Sequence, residues 1–108
     1  MSKYLTKQLL LSGNYWVLNK DVVRLVGLET AFLLTCFAEA ETMLADKEGW
    51  FYQTIERTEE ITGLKRSRQD KATRKLVELG ILEQINKGLP MKRYFRINYK
   101  VLKELWKN

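Results

Sequence analysis

Apolar positions along the chain fall into runs of helical spacing and runs of alternation, and the breaks between them carry turn and cap residues. Asn19 precedes Lys20, Asp21, Val22, Val23, Leu25 and Val26, a capped amphipathic turn or two that stops at Gly27. From Leu28 to Leu44 the spacing restarts: Leu33, Phe37, Ala40 and Leu44 stand at i, i+4, i+7 and i+11, widened by Phe32 and Leu34, which predicts a core helix. Asp46, Lys47, Glu48 and Gly49 form a turn. Trp50, Phe51 and Tyr52 then read as a short strand, because consecutive aromatics suit a pleated, half-buried surface.

Thr54 is placed to cap a helix over 55–62, with Glu56, Glu59 and Glu60 in its early turns and Gly63 at its end. Leu64 plugs the corner that follows. Ser67 is read as the cap of the next helix, with Asp70 at the capping-box position, and Ala72, Leu76 and Leu79 share one face up to Gly80. Alternation returns over 81–86 and over 92–99, around the loop Lys87-Gly88-Leu89-Pro90-Met91; Phe95 and Ile97 point inward, Tyr94 and Arg96 outward. Asn98 can cap a last helix to Lys107 whose stripe is Val101, Leu102, Leu105 and Trp106. The fold class that follows is mainly α with a small β-hairpin sheet, an α+β winged helix-turn-helix. As a single domain over 1–108, it divides into an N-terminal arm at 1–18, a helix-turn-helix at 55–79, a wing hairpin at 81–98 and a C-terminal helix at 99–108.

Charge changes this picture from architecture to chemistry. Lys65, Arg66, Arg68, Lys71, Arg74 and Lys75 meet only Asp70, a local balance of +5. Lys87, Lys92, Arg93, Arg96 and Lys100 meet no acid and add another +5, so a chain of net +6 is −4 everywhere else. On a helical wheel Arg74 lies nearly opposite the apolar stripe, Ser67, Asp70 and Lys71 lie within about 80° of Arg74, and Arg68 and Lys75 flank the core edge. A cationic face on the second helix of a helix-turn-helix, with a second cationic element beside it, suits duplex DNA better than an ordinary solvated helix surface does.

Other chemistry has little support. There is no histidine, no glycine-rich loop leading into a helix and no cluster with metal-ligand spacing, so neither catalysis, a cofactor nor a metal is expected. Cys36, the one cysteine, lies in the apolar run AFLLTCFAEA and reads as a buried thiol in a reducing cytoplasm. No apolar stretch approaches the roughly 20 residues that span a bilayer, and residues 1–13 lack the pattern of a signal peptide, so no membrane role is expected.

The pieces GWFYQT at 49–54, EEITGL at 59–64, RQDKATRKLVELGIL at 68–82 and KGLPMKRYFRIN at 87–98 resemble the N-terminal winged helix domain of DnaD-type and phage replisome-organiser proteins. YWVLNKDVVRLVGLETAFLL fits the same family more loosely. The resemblance implies a winged helix that recognises an origin or iteron in phage or plasmid replication. The same domain also builds transcription regulators and plasmid-segregation adaptors that bind repeats near their own operons, and the sequence does not separate these roles.

Candidate contacts follow from side-chain chemistry. Ser67 and Gln69 can bond phosphate or base edges, Arg68 and Arg74 can make bidentate contacts to guanine, and Lys71 and Lys75 suit phosphates. Gln69 lies nearer the buried side and fits a structural role equally well. Asp70 can accept from a cytosine amino group or simply cap the helix. Lys65 and Arg66 in the turn, and Lys87, Lys92, Arg93 and Arg96 in the wing, complete the cationic surface. The aromatics Trp50, Phe51, Tyr94 and Phe95 are read as packing rather than as a stacking platform for single strands. Tyr15, Trp16, Leu102, Leu105 and Trp106 lie in terminal stripes with little of their own domain to cover and are assigned to a homodimer contact. The expected partners are double-stranded DNA, a second copy and replication or segregation proteins. A rival class, docking an acidic protein without touching DNA, differs in having no affinity for duplex at about 150 mM salt.

Overall fold

A computed structural model describes residues 2–107. Helices α1 (Lys3–Leu11), α2 (Lys20–Val26) and α3 (Leu28–Leu44) precede strand β1 (Phe51–Tyr52). Helices α4 (Ile55–Thr62) and α5 (Arg66–Glu78) follow, then β2 (Leu82–Lys87), β3 (Lys92–Ile97) and α6 (Tyr99–Lys107). The three strands form one antiparallel sheet in the order β1-β3-β2. This is the winged helix arrangement that the alternation of periods predicts.

Three of the predicted caps are made as the sequence requires. Asn19 Oδ1 accepts from the Asp21 and Val22 amides, Thr54 Oγ1 accepts from the Arg57 amide at 2.9 Å, and Asn98 Oδ1 accepts from the Val101 amide at 3.1 Å. Gly63, left-handed at φ 77°, ends α4 and turns the chain into α5, a conformation that would strain any side chain. The fourth predicted cap is not made. The N-cap of α5 is Lys65, without a side-chain bond, and Ser67 lies inside the first turn. Asp70 faces Arg66 and Arg93 instead of the helix start.

Residues from α2, α3, α5, all three strands and α6 converge on one apolar cluster, with Leu33, Leu76, Ile81 and Phe95 fully buried. At its centre the ring of Phe37 lies 4.7 Å from Phe95 and 5.7 Å from Phe51, fastening α3 to the sheet. Each such side chain stabilises the fold by about 1.5–3 kcal/mol. Four residues of the predicted stripes fall outside the cluster: Phe32 meets Trp16 instead, Leu44 ends α3 exposed, Leu79, at the C-cap of α5, turns outward before Gly80, and Trp106 is exposed near the end of α6.

Strands β1 and β2 start one residue later than alternation alone implies, and β3 ends two residues earlier. Trp50 precedes the ladder, Ile81 precedes β2, and β3 stops at Ile97 so that Asn98 can cap α6. Cross-strand pairs Phe51↔Phe95, Gln84↔Phe95 and Leu82↔Ile97 set the inner face. Tyr52↔Tyr94, Glu83↔Arg96 and Lys87↔Lys92 set the outer one. The residues read as an arm include a helix: Ser2 Oγ caps α1 by accepting from the Leu5 amide at 3.2 Å. Every residue of α1 is exposed. Among the described residues no helix is long and apolar enough to cross a membrane.

Candidate nucleic-acid interface

The helix-turn-helix is held shut by a residue assigned above to contact. Gln69 is 1% exposed, and its Nε2 donates to Leu64 O at 2.7 Å and to Ile55 O at 3.0 Å. It thus ties α5 to both the start of α4 and the turn, and gives the Leu64 carbonyl a hydrogen bond. Gln69 is therefore a fastening inside the motif, not part of its surface.

Arg68 and Lys75, seven positions apart on one side of α5, turn towards the body. Arg68 Nη1 donates to Glu29 Oε2 at 2.9 Å, joining α5 to the first turn of α3. Lys75 Nζ donates to Val26 O at 2.7 Å, capping the C-terminus of α2, where the helix dipole favours a cation. The wheel places both at the core edge. What it does not show is that Glu29 and Val26 await them.

The opposite side of α5 has no such ties. Among the described residues Lys65, Lys71 and Arg74 are exposed without an acidic partner within 4.0 Å, and Ser67 is exposed beside them. Arg66 is exposed too, its Nε 4.0 Å from Asp70 Oδ2. Asp70 Oδ1 is also 4.0 Å from Arg93 Nη1, so this carboxylate lies between the first turn of α5 and the loop end of β3. The start of α5 and the inner face of β3 consequently adjoin one another.

The pleat then divides the wing cations. Arg93, on the inner face with Phe95, is the one directed at α5; its guanidinium lies 5.2 Å from the Phe95 ring, and burial pulls its pKa below the usual arginine range. Lys87 and Lys92 pair directly across the loop end of the hairpin on the outer face. Their ammonium groups lie 4.6 Å from the Tyr94 ring and 5.1 Å from the Tyr52 ring, and the two rings are 5.8 Å apart. Arg96 lies nearer the base. It makes a two-pronged contact with Glu83, at 2.8 and 3.1 Å, and its guanidinium lies 4.5 Å from the Trp50 ring. The same contact holds the Glu83 carboxyl below the usual carboxylate range. Arg96 is a brace of the sheet and leaves the candidate surface.

The aromatics sort by the faces of the sheet. Phe51 and Phe95 are core, whereas Trp50, Tyr52 and Tyr94 line the outer face of the sheet beside the cations. The signal that separates them is the two-residue period applied to Trp50-Phe51-Tyr52.

The residues assigned to a dimer contact also separate. Leu102 is buried in the chain's own core and Leu105 packs against it, so neither is a free surface. Trp106 is part-exposed, its Nε1 3.4 Å from Asp21 Oδ2 on α2. Trp16 meets Phe32 edge to face at 4.9 Å, and Tyr15 next to it is exposed. Cys36 is buried, and burial, with Glu39 nearby, pushes its thiol up to about 11.

No family model and no curated protein matches the chain. A solved structure described as the N-terminal domain of a DNA binding protein is similar over 96% of this chain and 95% of its own, at 19% sequence identity and a TM-score of 0.56. At that identity the likeness is one of fold.

Proposed function

We propose that this chain binds double-stranded DNA, laying the exposed side of α5 in a major groove and resting the wing tip along the neighbouring backbone. The observation that carries this reading is the partition of α5. Arg68 and Lys75 hold the helix to α2 and α3, while Lys65, Lys71 and Arg74 stand in solvent without acids to neutralise them. Unneutralised cations projecting from the second helix of a helix-turn-helix are the electrostatic footprint of a phosphate-lined ligand. The structural likeness to part of a DNA binding protein supports the same ligand.

Within this reading Arg74 reads a base edge. Its planar guanidinium sits near the middle of the exposed face and suits guanine O6 and N7. Lys65, Arg66, Lys71, Lys87 and Lys92 contact phosphates, and Arg93 steadies the wing against α5. Two copies related by a two-fold axis would address half-sites about 10 to 10.5 base pairs apart, or a multiple of that. The resemblance to replication initiators supports origin or iteron recognition in a phage or plasmid, within a bacterial cytoplasm.

Selection of bound duplexes from a random library, followed by fluorescence anisotropy on the winner, tests the proposal. Arg74→Ala should cost about 1 to 3 kcal/mol at one base position and relax preference there, whereas Lys92→Ala should weaken all sequences alike. A library that yields no enriched sequence, together with loss of all duplex binding at about 150 mM salt, would rule the reading out.

A further inference from the structure

Helix α1 stands apart from the body. All nine of its residues are exposed, including Tyr4, Leu5, Leu9 and Leu11, each with 52 to 68% of its surface in solvent. Its projection raises the radius of gyration to 15.6 Å, against about 13 Å for a chain of this length packed as one body. A helix of nine residues has no stability of its own in water and persists only when an apolar face is covered. Tyr4, Leu5 and Leu11 with Leu9 make such a face, spanning about 160° of the wheel.

The same chain carries an apolar groove that its own α1 leaves empty. It runs between the C-terminal half of α3 and α4 and is lined by Trp16, Ala40, Met43, Leu44, Arg57 and Ile61. Met43 and Leu44 are 83 and 59% exposed although α3 is otherwise the most buried helix. Charge fits the two together. α1 carries Lys3 and Lys7 and no acid, whereas α3 and α4 carry Glu29, Glu39, Glu41, Glu56, Glu59 and Glu60 against Arg57 alone. Glu39 lies on the groove wall, and Lys7 flanks Leu11 on the wheel by about 40°. Between helix and groove runs a short tether, with Trp16 fixed on Phe32 and Gly13 at φ 70° in open space.

We propose that two copies of this chain exchange their N-terminal helices, α1 of each lying in the α3–α4 groove of the other. The exchange covers both apolar surfaces at once and is isologous, so it closes at two copies. It also leaves the exposed side of α5 free: Glu29, where Arg68 meets α3, is about 20 Å along that helix from Met43. The inference concerns self-association alone and stands whether or not the chain binds DNA.

Sedimentation equilibrium on the whole chain, without nucleic acid, gives the first readout: a species of twice the 12.8 kDa chain mass. Leu9→Asp, at a position that touches nothing in its own body, should weaken the dimer about 100-fold with an unchanged thermal midpoint for the monomer. Met43→Glu in the groove should do the same. Mixing an L9C chain with a tagged M43C chain under mild oxidation should give a disulfide between the two chains; both carry Cys36→Ser, because Cys36 lines the same groove. A chain that remains monomeric at 100 µM, or a dimer indifferent to Leu9→Asp, would overturn the proposal. So would a dimer that Leu9→Asp disrupts but in which L9C never links to M43C, since α1 would then be pairing with α1.

Discussion

Residues 65–75 and 87–100 carry the same net charge, +5, yet the folded chain treats them differently. On α5 the cations are sorted by side, two fixed to α2 and α3 and the rest left in solvent. In the second segment each cation except Lys100, which lies in α6, sits over an aromatic ring: Lys87 over Tyr94, Lys92 over Tyr52, Arg93 over Phe95, Arg96 over Trp50. A count of charges treats these segments as equals. Their surroundings make α5 the stronger electrostatic element, because a cation already resting on a ring loses part of that contact when it reaches for a phosphate.

The comparison can be broken in several places. Charge reversal of Lys71 and Arg74 together should have the largest effect, abolishing duplex retention at about 150 mM salt with the fold intact by circular dichroism. If the same reversal at Lys87 and Lys92 did as much, the ranking of the two segments would be wrong. Gln69→Ala should act on stability rather than on the surface, costing about 1–3 kcal/mol in urea unfolding by removing the ties to the Ile55 and Leu64 carbonyls. Lys92→Ala should lower the slope of log affinity against log salt by about 1 and leave sequence preference alone. Arg96→Ala should leave DNA affinity unchanged, since its guanidinium is held by Glu83.

The smallest effect is one of pH. Burial raises the Cys36 pKa from 9.0 to about 11, so the folded chain holds that proton more tightly than the unfolded chain. The associated stability is complete below pH 9.0 and drains away as pH rises towards about 11, which thermal melts across that range would read. Cys36→Ser should remove this component of the decline.

Much of the fold was legible because local rules agreed with one another. The caps at Asn19, Thr54 and Asn98 are bonds between neighbours in sequence, and the helix and strand periods are one-dimensional. The candidate surface was less legible, because its composition depends on partners far along the chain. Arg68 pairs with Glu29, 39 positions away, while its side chain stays exposed, and Lys75 bonds the Val26 carbonyl, 49 positions away. Ser67 shows the same limit at short range: a good capping residue sits two positions too late, since the helix had begun at Arg66. The helical character of residues 3–11 escaped for another reason: an apolar stripe with no body beneath it looks like an arm until its own backbone geometry is seen.

Asp70 lies amid the cations of α5 and the wing, 4.0 Å from both Arg66 and Arg93. On the proposed reading this single carboxylate makes the protein a worse glue. It repels any phosphate brought close without a compensating partner, and so shortens dwell time on arbitrary sequence more than on a site whose base edge can donate to it. Neutralising it as Asp70→Asn would yield a stickier, less discerning molecule, one that clings to random genomic DNA and searches it more slowly.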